Sequence, residues 1–306
     1  MNRIPPFVEF LARLRQAREM SEVRPAPPES APAEAPPAPI GAVKFASKLE
    51  EVGIESGDCL MLHSDADAIA RVFGEPAEFI DFMVDYLGPN GTLSMPSHPK
   101  LKNRDGILTY TVQTSPSTVG LMTESFRRRP NTVRSRFPIS SACACGKLAE
   151  DLILPHSQST YPHDEHSPYS RLADLGGKVM CVGPALDRMT ILHVAEDSPG
   201  SPLLESKFRV VNCYKIVDRG DSWEKEVSER APWMWFYIAK YRWTKKLYDH
   251  GFVSGFDECG VKVRAVEASK VVGWMKKEQN GEGNLYPYRS LQPHLKLNLK
   301  LPSDGV

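Results

Sequence analysis

The chain has 306 residues, of which 41% are hydrophobic and 25% are charged, and this composition is typical of a globular protein with a sizeable core. Lysine plus arginine number 38, as do aspartate plus glutamate, so no net charge attracts nucleic acid or a membrane surface. No stretch approaches the roughly 20 apolar residues that cross a bilayer, and the N-terminus has no signal-peptide pattern. We therefore expect a cytoplasmic protein whose partners include neither nucleic acid nor a membrane.

The N-terminal segment differs in composition from the rest of the chain. Apolar residues recur at helical spacing between Phe7 and Leu14, which predicts an amphipathic helix within residues 1–23. Residues 24–41 are rich in proline and alanine, a composition that favours an extended linker. The helix either docks on the main domain as a cap or binds a protein partner, including a second copy of the chain.

Residues 42–280 alternate strand-like apolar runs with helical patterns, which predicts one domain built on an α/β layered sheet. The predicted strands are 59–63, 92–95, 140–145, 178–182 and 261–266, and the predicted helices are 77–87, 119–128, 169–175, 190–197, 232–250 and 268–275. Two further strand-like runs within 208–227 flank a glycine-containing turn and predict a hairpin. The polar tail at 281–306 is predicted to lie outside this domain.

Two segments place polar groups where α/β proteins bind ligands. His63, Ser64 and Asp65 follow the first predicted strand, and ligands commonly bind at strand ends in such folds. Ser115 and Ser117 precede a predicted helix, whose first turn has free N–H groups that can bind a phosphate or an amide carbonyl. A capped turn and a helix N-cap explain the same residues.

A basic stretch follows in the middle of the chain. Five arginines lie within the ten residues from Arg127 to Arg136. From Ser97 to Glu150 the chain has nine basic and three acidic residues. This local excess suits a polyphosphate ligand, although a solvated helix end explains it too.

His193 and Glu196 lie three residues apart in a predicted short helix, so the carboxylate can orient the imidazole. An imidazole with a near-neutral pKa suits removal of a proton from an amine nucleophile. A lone histidine on a helix is more often structural, so these residues by themselves leave both interpretations open.

Two patterns resemble metal-ligand spacing. His163 and His166 enclose two acidic residues, but they lie in a proline-flanked loop rather than on a helix. Cys143 and Cys145 have no second cysteine or histidine pair at zinc spacing. We therefore expect no bound metal, and we expect most cysteines to pack as reduced thiols in strands.

These segments occur in the order of the motifs of a known family. The matching segments are Gly57-Asp58 with Leu62-His63-Ser64, Leu87 to Pro96, Ser115-Pro116-Ser117 with Gly120 and Glu124, Arg134-Ser135 with Pro138, Ser167-Pro168 with Leu172, Gly177 with Gly183, and Thr190 to Glu196. The whole series, between residues 43 and 275, resembles the aminoglycoside 3-N-acetyltransferase family.

The resemblance implies an α/β/α sandwich around a central mixed β-sheet, unrelated to the smaller GNAT acetyltransferase fold. It also implies direct transfer of an acetyl group from acetyl-CoA (coenzyme A) to a small-molecule amine, with His193 as general base and Glu196 supporting it. The residues expected to bind the cofactor are His63, Ser64, Ser115, Ser117, Gly120, Arg134 and Ser135. The residues expected to contact the substrate are Glu224, Glu226 and Asp65.

The chain also departs from the family pattern. Phe137 stands where the family usually has histidine, and Ser115 replaces threonine. Lys100, Lys102 and Arg104 form a basic segment, whereas polycationic aminoglycosides need clustered carboxylates. We therefore expect the acceptor to be an amino sugar or a biosynthetic intermediate. The alternatives are an aminoglycoside, which would make the chain a resistance enzyme, and a non-catalytic CoA-binding scaffold.

Overall fold

The computed structural model describes residues 37–231 and 240–280. The predicted N-terminal helix at 1–23, most of the 24–41 linker, and the tail at 281–306 lie outside the described residues. The division of the chain at these boundaries stays a prediction. Within the described ranges, no helix is both long enough and apolar enough to cross a bilayer.

The described residues contain eleven strands and eight α-helices. The strands are β1 (Cys59–Ser64), β2 (Thr92–Pro96), β3 (Lys102–Arg104), β4 (Ile107–Thr111), β5 (Val133–Arg134), β6 (Ala142–Gly146), β7 (Lys178–Val182), β8 (Arg209–Asp218), β9 (Asp221–Arg230), β10 (Ser254–Glu258) and β11 (Val261–Glu267). The helices are α1 (Gly41–Glu51), α2 (Ala66–Val72), α3 (Pro76–Leu87), α4 (Leu121–Phe126), α5 (Ala149–Ile153), α6 (Pro168–Asp174), α7 (Lys240–Asp249) and α8 (Ala268–Asn280).

A seven-stranded sheet in the order β10-β11-β7-β1-β2-β6-β5 forms the centre of the fold. The three middle strands β7, β1 and β2 run parallel, whereas β10, β11, β6 and β5 pair antiparallel. Side chains alternate between the two faces of a strand, and β1 follows this rule. Cys59 and Met61 pack on the face covered by α5, α6, α7 and α8, while Leu60 and Leu62 pack on the face covered by α1, α2, α3 and α4. This arrangement confirms the predicted α/β/α sandwich around a mixed sheet.

A second sheet of four strands, in the order β3-β4-β8-β9, has its own small core. The predicted hairpin is confirmed as β8 and β9, which pair antiparallel along their full length. Tyr110, Ile216 and Val227 are buried between this sheet and the segment around Phe137. The strands β3 and β4 of this sheet were not predicted, because both are short and β3 has no apolar residue.

The loops that carry the candidate site leave one edge of the central sheet. Because β1, β2 and β7 are parallel, their carboxyl ends lie at the same edge. At the end of β7, Gly183 has a φ of +93°, and a Cβ there would lie 2.5 Å from the Cβ of Ala68. Only glycine therefore fits where the chain turns toward His193. The predicted helix at 190–197 is instead two 3-10 turns, Thr190–His193 and Ala195–Asp197.

Candidate active site

Two cavities lie at this edge of the sheet. The strand-end cavity, of about 260 Å³, is lined by Leu62, His63, Ser64, Pro96, His98, Val119, Thr123, Pro184, Arg188 and Thr190. The histidine cavity, also of about 260 Å³, is lined by His98, Ile139, Ser140, Pro162, His163, Arg188, Thr190, His193, Glu229 and Arg230. Three residues line both cavities, namely His98, Arg188 and Thr190. The two spaces therefore adjoin, as a reaction between two ligands requires.

His193 lies in the wall of the histidine cavity and is 5% exposed. Its Nδ1 atom lies 3.0 Å from Oε2 of Glu196, and a carboxylate of this kind accepts hydrogen bonds. Nη1 of Arg230 also lies 3.1 Å from this nitrogen. Because the hydrogen bond to a carboxylate is the stronger of the two, we assign the proton to Nδ1, which leaves Nε2 as the basic nitrogen. The guanidinium of Arg230 hydrogen-bonds the same carboxylate oxygen and fixes its position. These contacts fix the orientation of the imidazole in the cavity wall.

A second imidazole in the same cavity has the same kind of support. Nδ1 of His163 lies 2.8 Å from Oδ2 of Asp197, and Nη2 of Arg209 lies 2.5 Å from the other oxygen of that carboxylate. The ring centroids of His163 and His193 are 5.2 Å apart. The two consecutive acids Glu196 and Asp197 thus anchor two neighbouring histidines.

The polar residues at the ends of β1 and β2 face the strand-end cavity. His63 ends β1 as predicted, and burial lowers its pKa to about 3, with a smaller effect from His98. Burial likewise lowers the pKa of His98 to about 4. The Nε2 atoms of both rings are enclosed without a hydrogen-bond partner among the described residues. Sequence analysis missed His98, which lies just beyond the end of β2, at the same edge of the sheet as His63.

The serine-rich segment before α4 lies beside this cavity, but its hydroxyl groups serve the loop itself. The Ser115 hydroxyl accepts a hydrogen bond from the Thr111 N–H at 3.0 Å, and the Ser117 hydroxyl accepts one from the Val119 N–H at 3.3 Å. Gly120, with a φ of +113°, starts the helix. Val119, from the same segment, lines the cavity. The assignment of Ser115, Ser117 and Gly120 to the cofactor stays a prediction.

Arg134 and Ser135 are buried and hold the neighbouring loops. Arg134 donates to the backbone carbonyls of residues 112, 115 and 97. The Ser135 hydroxyl lies 2.8 Å from Nδ1 of His156. Neither residue lines the two cavities, because these contacts direct both side chains into the protein. Their predicted contact with the cofactor stays a prediction.

The three acidic residues predicted to contact the substrate also lie away from the cavities. Glu224 and Glu226 are exposed on β9, and Asp65 is exposed and caps α2 by accepting a hydrogen bond from Ala68 N–H at 2.9 Å. The acid of this hairpin that does line the histidine cavity is Glu229. Glu229 and Arg230 reach the cavity because they form the last two residues of β9, where the strand ends beside the site. Neither could be selected from the hairpin pattern alone.

The local packing explains why Phe137 can stand where the family usually has histidine. The Phe137 ring is fully buried and stacks on His156 with 4.5 Å between the ring centroids. Both ring nitrogens of His156 have partners, the Ser135 hydroxyl and the carbonyl of Pro162. The aromatic side chain therefore belongs to the small core of the second sheet rather than to either cavity.

Metal binding finds no support in the described part of the chain. Among those residues, no group of three or more histidine, cysteine or acidic side chains is arranged to hold a metal ion. Cys143 is fully buried in β6, and burial raises its pKa to about 12. Cys213, however, is exposed on β8, where the second sheet turns it toward solvent.

Comparison with known proteins identifies the family. The family model described as aminoglycoside 3-N-acetyltransferase matches residues 61–269, which is more than half of the chain. Aminoglycoside N(3)-acetyltransferase VIII of Streptomyces fradiae is 32% identical over 220 residues, covering 62% of this chain and 77% of the relative. The type VII enzyme of Streptomyces paromomycinus is 30% identical over 210 residues, covering 60% and 73%.

Solved structures show the same fold at lower sequence identity. A mutant of aminoglycoside acetyltransferase AAC(3)-IVa in complex with a gentamicin has a TM-score of 0.68 at 22% identity, over 82% of this chain and 92% of that one. AAC-IIIb in its binary complex with CoASH has a TM-score of 0.64 at 20% identity, over 78% and 95%. The matched family model and the relative from Streptomyces fradiae establish that the chain belongs to the aminoglycoside 3-N-acetyltransferase family.

Proposed function

We propose that this protein transfers an acetyl group from acetyl-CoA to an amine of an aminoglycoside, and that His193 is the general base. The observation that carries the proposal is the His193 imidazole, which Glu196 anchors at Nδ1 in the wall of a cavity that adjoins a second cavity. The names of the relatives and the CoA complex of AAC-IIIb support the acceptor class and the donor.

The residues at the strand ends fit the thioester end of the donor. His63 Nε2 is enclosed without a partner among the described residues, and Ser64 adds a hydroxyl group to the same cavity. Val119 and Thr123 contribute to its wall. We assign the donor to the strand-end cavity and the acceptor to the histidine cavity.

The chemistry that follows is a direct transfer. Acetyl-CoA, when bound, supplies an acetyl group activated as a thioester. His193 Nε2 takes a proton from the acceptor amine as the nitrogen bonds to the acetyl carbon and the carbon–sulfur bond breaks. His193 then returns this proton to the leaving thiolate, so the protein is unchanged after one turnover. Glu196 stabilises the protonated ring between these two events.

A second candidate acceptor is an amino sugar with a single ammonium group. Glu229 is the one carboxylate among the residues that line the histidine cavity, and it lies there with Arg188 and Arg230. Arg230 is paired with Glu196, so the guanidinium group that would repel a polycation in this partly enclosed site is chiefly that of Arg188. The basic segment at Lys102 and Arg104, by contrast, forms exposed β3 and does not line either cavity.

Thiol release from acetyl-CoA distinguishes these functions. We expect the protein to release free thiol with gentamicin and sisomicin, and the acetylated nitrogen is then located by mass spectrometry. Release with glucosamine but with neither antibiotic would show that the acceptor is an amino sugar with a single ammonium group and not an aminoglycoside. Binding of CoA in calorimetry, without thiol release for any amine, would favour the non-catalytic scaffold. Membership in a family of enzymes argues against that function.

A further inference from the structure

A positively charged side chain lies where the two cavities adjoin. Arg188 ends the 3-10 turn Leu186–Arg188, which follows β7, and it lines both cavities. Leu186 and Met189, close to it in the chain, are buried at 2% and 0% exposure. The buried neighbours hold the backbone in place, so Arg188 presents its charge to both cavities from a fixed position.

The charge of Arg188 is only weakly balanced. Its side chain is 78% exposed, and the acid that pairs with it among the described residues is Asp187, at 4.0 Å. That distance is too long for a hydrogen bond. The other guanidinium group of the histidine cavity, that of Arg230, is 5% exposed and pairs with Glu196. Arg188 is therefore the arginine whose charge a bound molecule meets.

Few groups at the site offset this charge. Glu229 is the one carboxylate among the residues that line either cavity. Its Oε1 atom accepts hydrogen bonds from Asn212, at 2.8 Å, and from the Tyr214 hydroxyl. Burial lowers the pKa of His98 to about 4 and also lowers the pKa of His163, so neither ring adds positive charge near neutral pH.

This distribution of charge treats one ammonium group differently from several. A single ammonium group can lie beside Glu229, the lining carboxylate. Each further ammonium group adds a repulsion with Arg188. Two unit charges several ångströms apart at a partly solvated site change a binding constant by about threefold. The penalty therefore grows with the number of ammonium groups on the acceptor.

We propose that Arg188 is a specificity-determining residue that makes this site select against acceptors with many ammonium groups. The proposal rests on the proposed transfer at His193 and ranks the aminoglycosides that the protein takes by their charge.

Two pairs of aminoglycosides isolate one ammonium group each. Kanamycin B has an amino group where kanamycin A has a hydroxyl, and neomycin B differs from paromomycin in the same way. Thiol release gives kcat/KM for each compound, and the less charged member of a pair is divided by the more charged one. Arg188→Gln removes the charge and Arg188→Lys keeps it. Arg104→Gln is the control, because it removes an equal charge from β3, which lines neither cavity.

In Arg188→Gln this ratio should fall by about threefold in both pairs at low salt, because the more charged member no longer meets the guanidinium group. Arg188→Lys and Arg104→Gln should keep the wild-type ratio to within about 1.5-fold, and about 0.5 M salt should reduce the effect of Arg188→Gln to the same range. A ratio that Arg188→Gln leaves unchanged in either pair contradicts the proposal. So does a fall that Arg188→Lys shares or that salt does not reduce.

The donor and the transfer itself are tested separately. Arg188→Gln should leave the Kd for CoA, measured by calorimetry, within about twofold, and a rise of about tenfold with unchanged acceptor ratios would assign Arg188 to the donor instead. If the wild type acetylates glucosamine alone, the four aminoglycosides are compared as inhibitors of that reaction. Inhibition that Arg188→Gln does not strengthen rejects the proposal. A wild-type protein that acetylates none of these amines rejects the transfer function itself and the proposal with it, which is a different result.

Discussion

Two regions of this protein are rich in ionisable side chains, and they use them in opposite ways. The imidazole segment, Thr190–Ser198, is almost fully buried and carries His193 in the wall of a cavity. The arginine segment, Arg127–Arg136, lies partly at the surface and concentrates more charge. Only the first presents a reactive atom to a cavity.

The difference lies in where the counter-charges come from. In the imidazole segment the acid is local, since Glu196 is three residues from His193, and the anchored imidazole lines the histidine cavity. In the arginine segment, Arg127 and Arg128 share one nearby acid, Glu124. The partners of the other two paired arginines, Asp81 for Arg129 and Asp218 for Arg136, are distant in the sequence. A local charge excess therefore does not define a binding site until its tertiary partners are known.

Replacing His193 gives the largest expected effect. His193→Ala should lower kcat at least about 100-fold, the usual scale for a general base, while the Kd for CoA is retained. Thiol release and calorimetry measure the two quantities. His250→Ala serves as the control, because His250 is exposed and lies outside both cavities. A loss below about 10-fold would show that another group is the base.

Replacing Glu196 should have the next largest effect. In Glu196→Gln the neutral amide no longer stabilises a protonated His193, so kcat should fall by roughly 10- to 100-fold, less than for His193→Ala. The same change removes the charge that pairs with buried Arg230, and thermal unfolding should occur at lower temperature. Unchanged kcat in a destabilised variant would make Glu196 a purely structural residue.

Protein stability should also depend on the buried histidines. Burial lowers the pKa of His63 to about 3 and the pKa of His156 well below its usual value. The unfolded chain therefore binds more protons below about pH 6.5, and stability is lost as the pH falls from there to about 4. Each such histidine contributes a slope of about 1.4 kcal/mol per pH unit.

Urea unfolding between about pH 7.5 and about pH 4 measures this slope. His156→Gln should make it shallower by one histidine's share, since that ring is fully buried and contacts only protein groups at its two nitrogens. An identical slope in the variant would mean that His156 titrates alike in the folded and unfolded states.

The smallest expected effect concerns the arginine segment. Arg128 is its most exposed arginine, and it pairs with Glu124 at 2.5 Å. Because the Arg128 side chain is 66% exposed and its carboxylate partner is shared with Arg127, Arg128→Gln should raise the Kd for CoA by less than about threefold, the effect of a solvated charge. Calorimetry at low and high salt measures it. A tenfold rise that disappears in salt would make the arginine segment the phosphate site, as the composition suggested.

Much of the fold could be predicted, because burial imposes regular patterns. The strand Lys178–Val182 was predicted at its observed bounds, and the predicted helix over 77–87 begins one residue earlier at Pro76. The strands β3 and β4 of the second sheet could not be predicted. Strand β3 is fully exposed, so it carries no apolar alternation, and β4 pairs with β8 more than one hundred residues later in the chain.

The candidate site divides in the same way. His63 could be selected because it lies near the end of a predicted strand. His193 could be selected because an acidic residue lies close to it in the sequence. His98 and Glu229 could not, since their position depends on how loops and the hairpin approach the edge of the central sheet. Asp65 and Glu224 have suitable chemistry, but the structure uses one as a helix cap and leaves the other exposed.

The amino-acid sequence alone determined the family, the layered sheet and the imidazole–carboxylate pair at His193, because motif order, strand periodicity and three-residue spacing are local properties of the chain. The tertiary structure alone decided which charges pair with one another. It also placed the ring centroids of His163 and His193 5.2 Å apart. Such contacts join residues separated by long stretches of chain, and only the closing of the sheet and its loops brings them together.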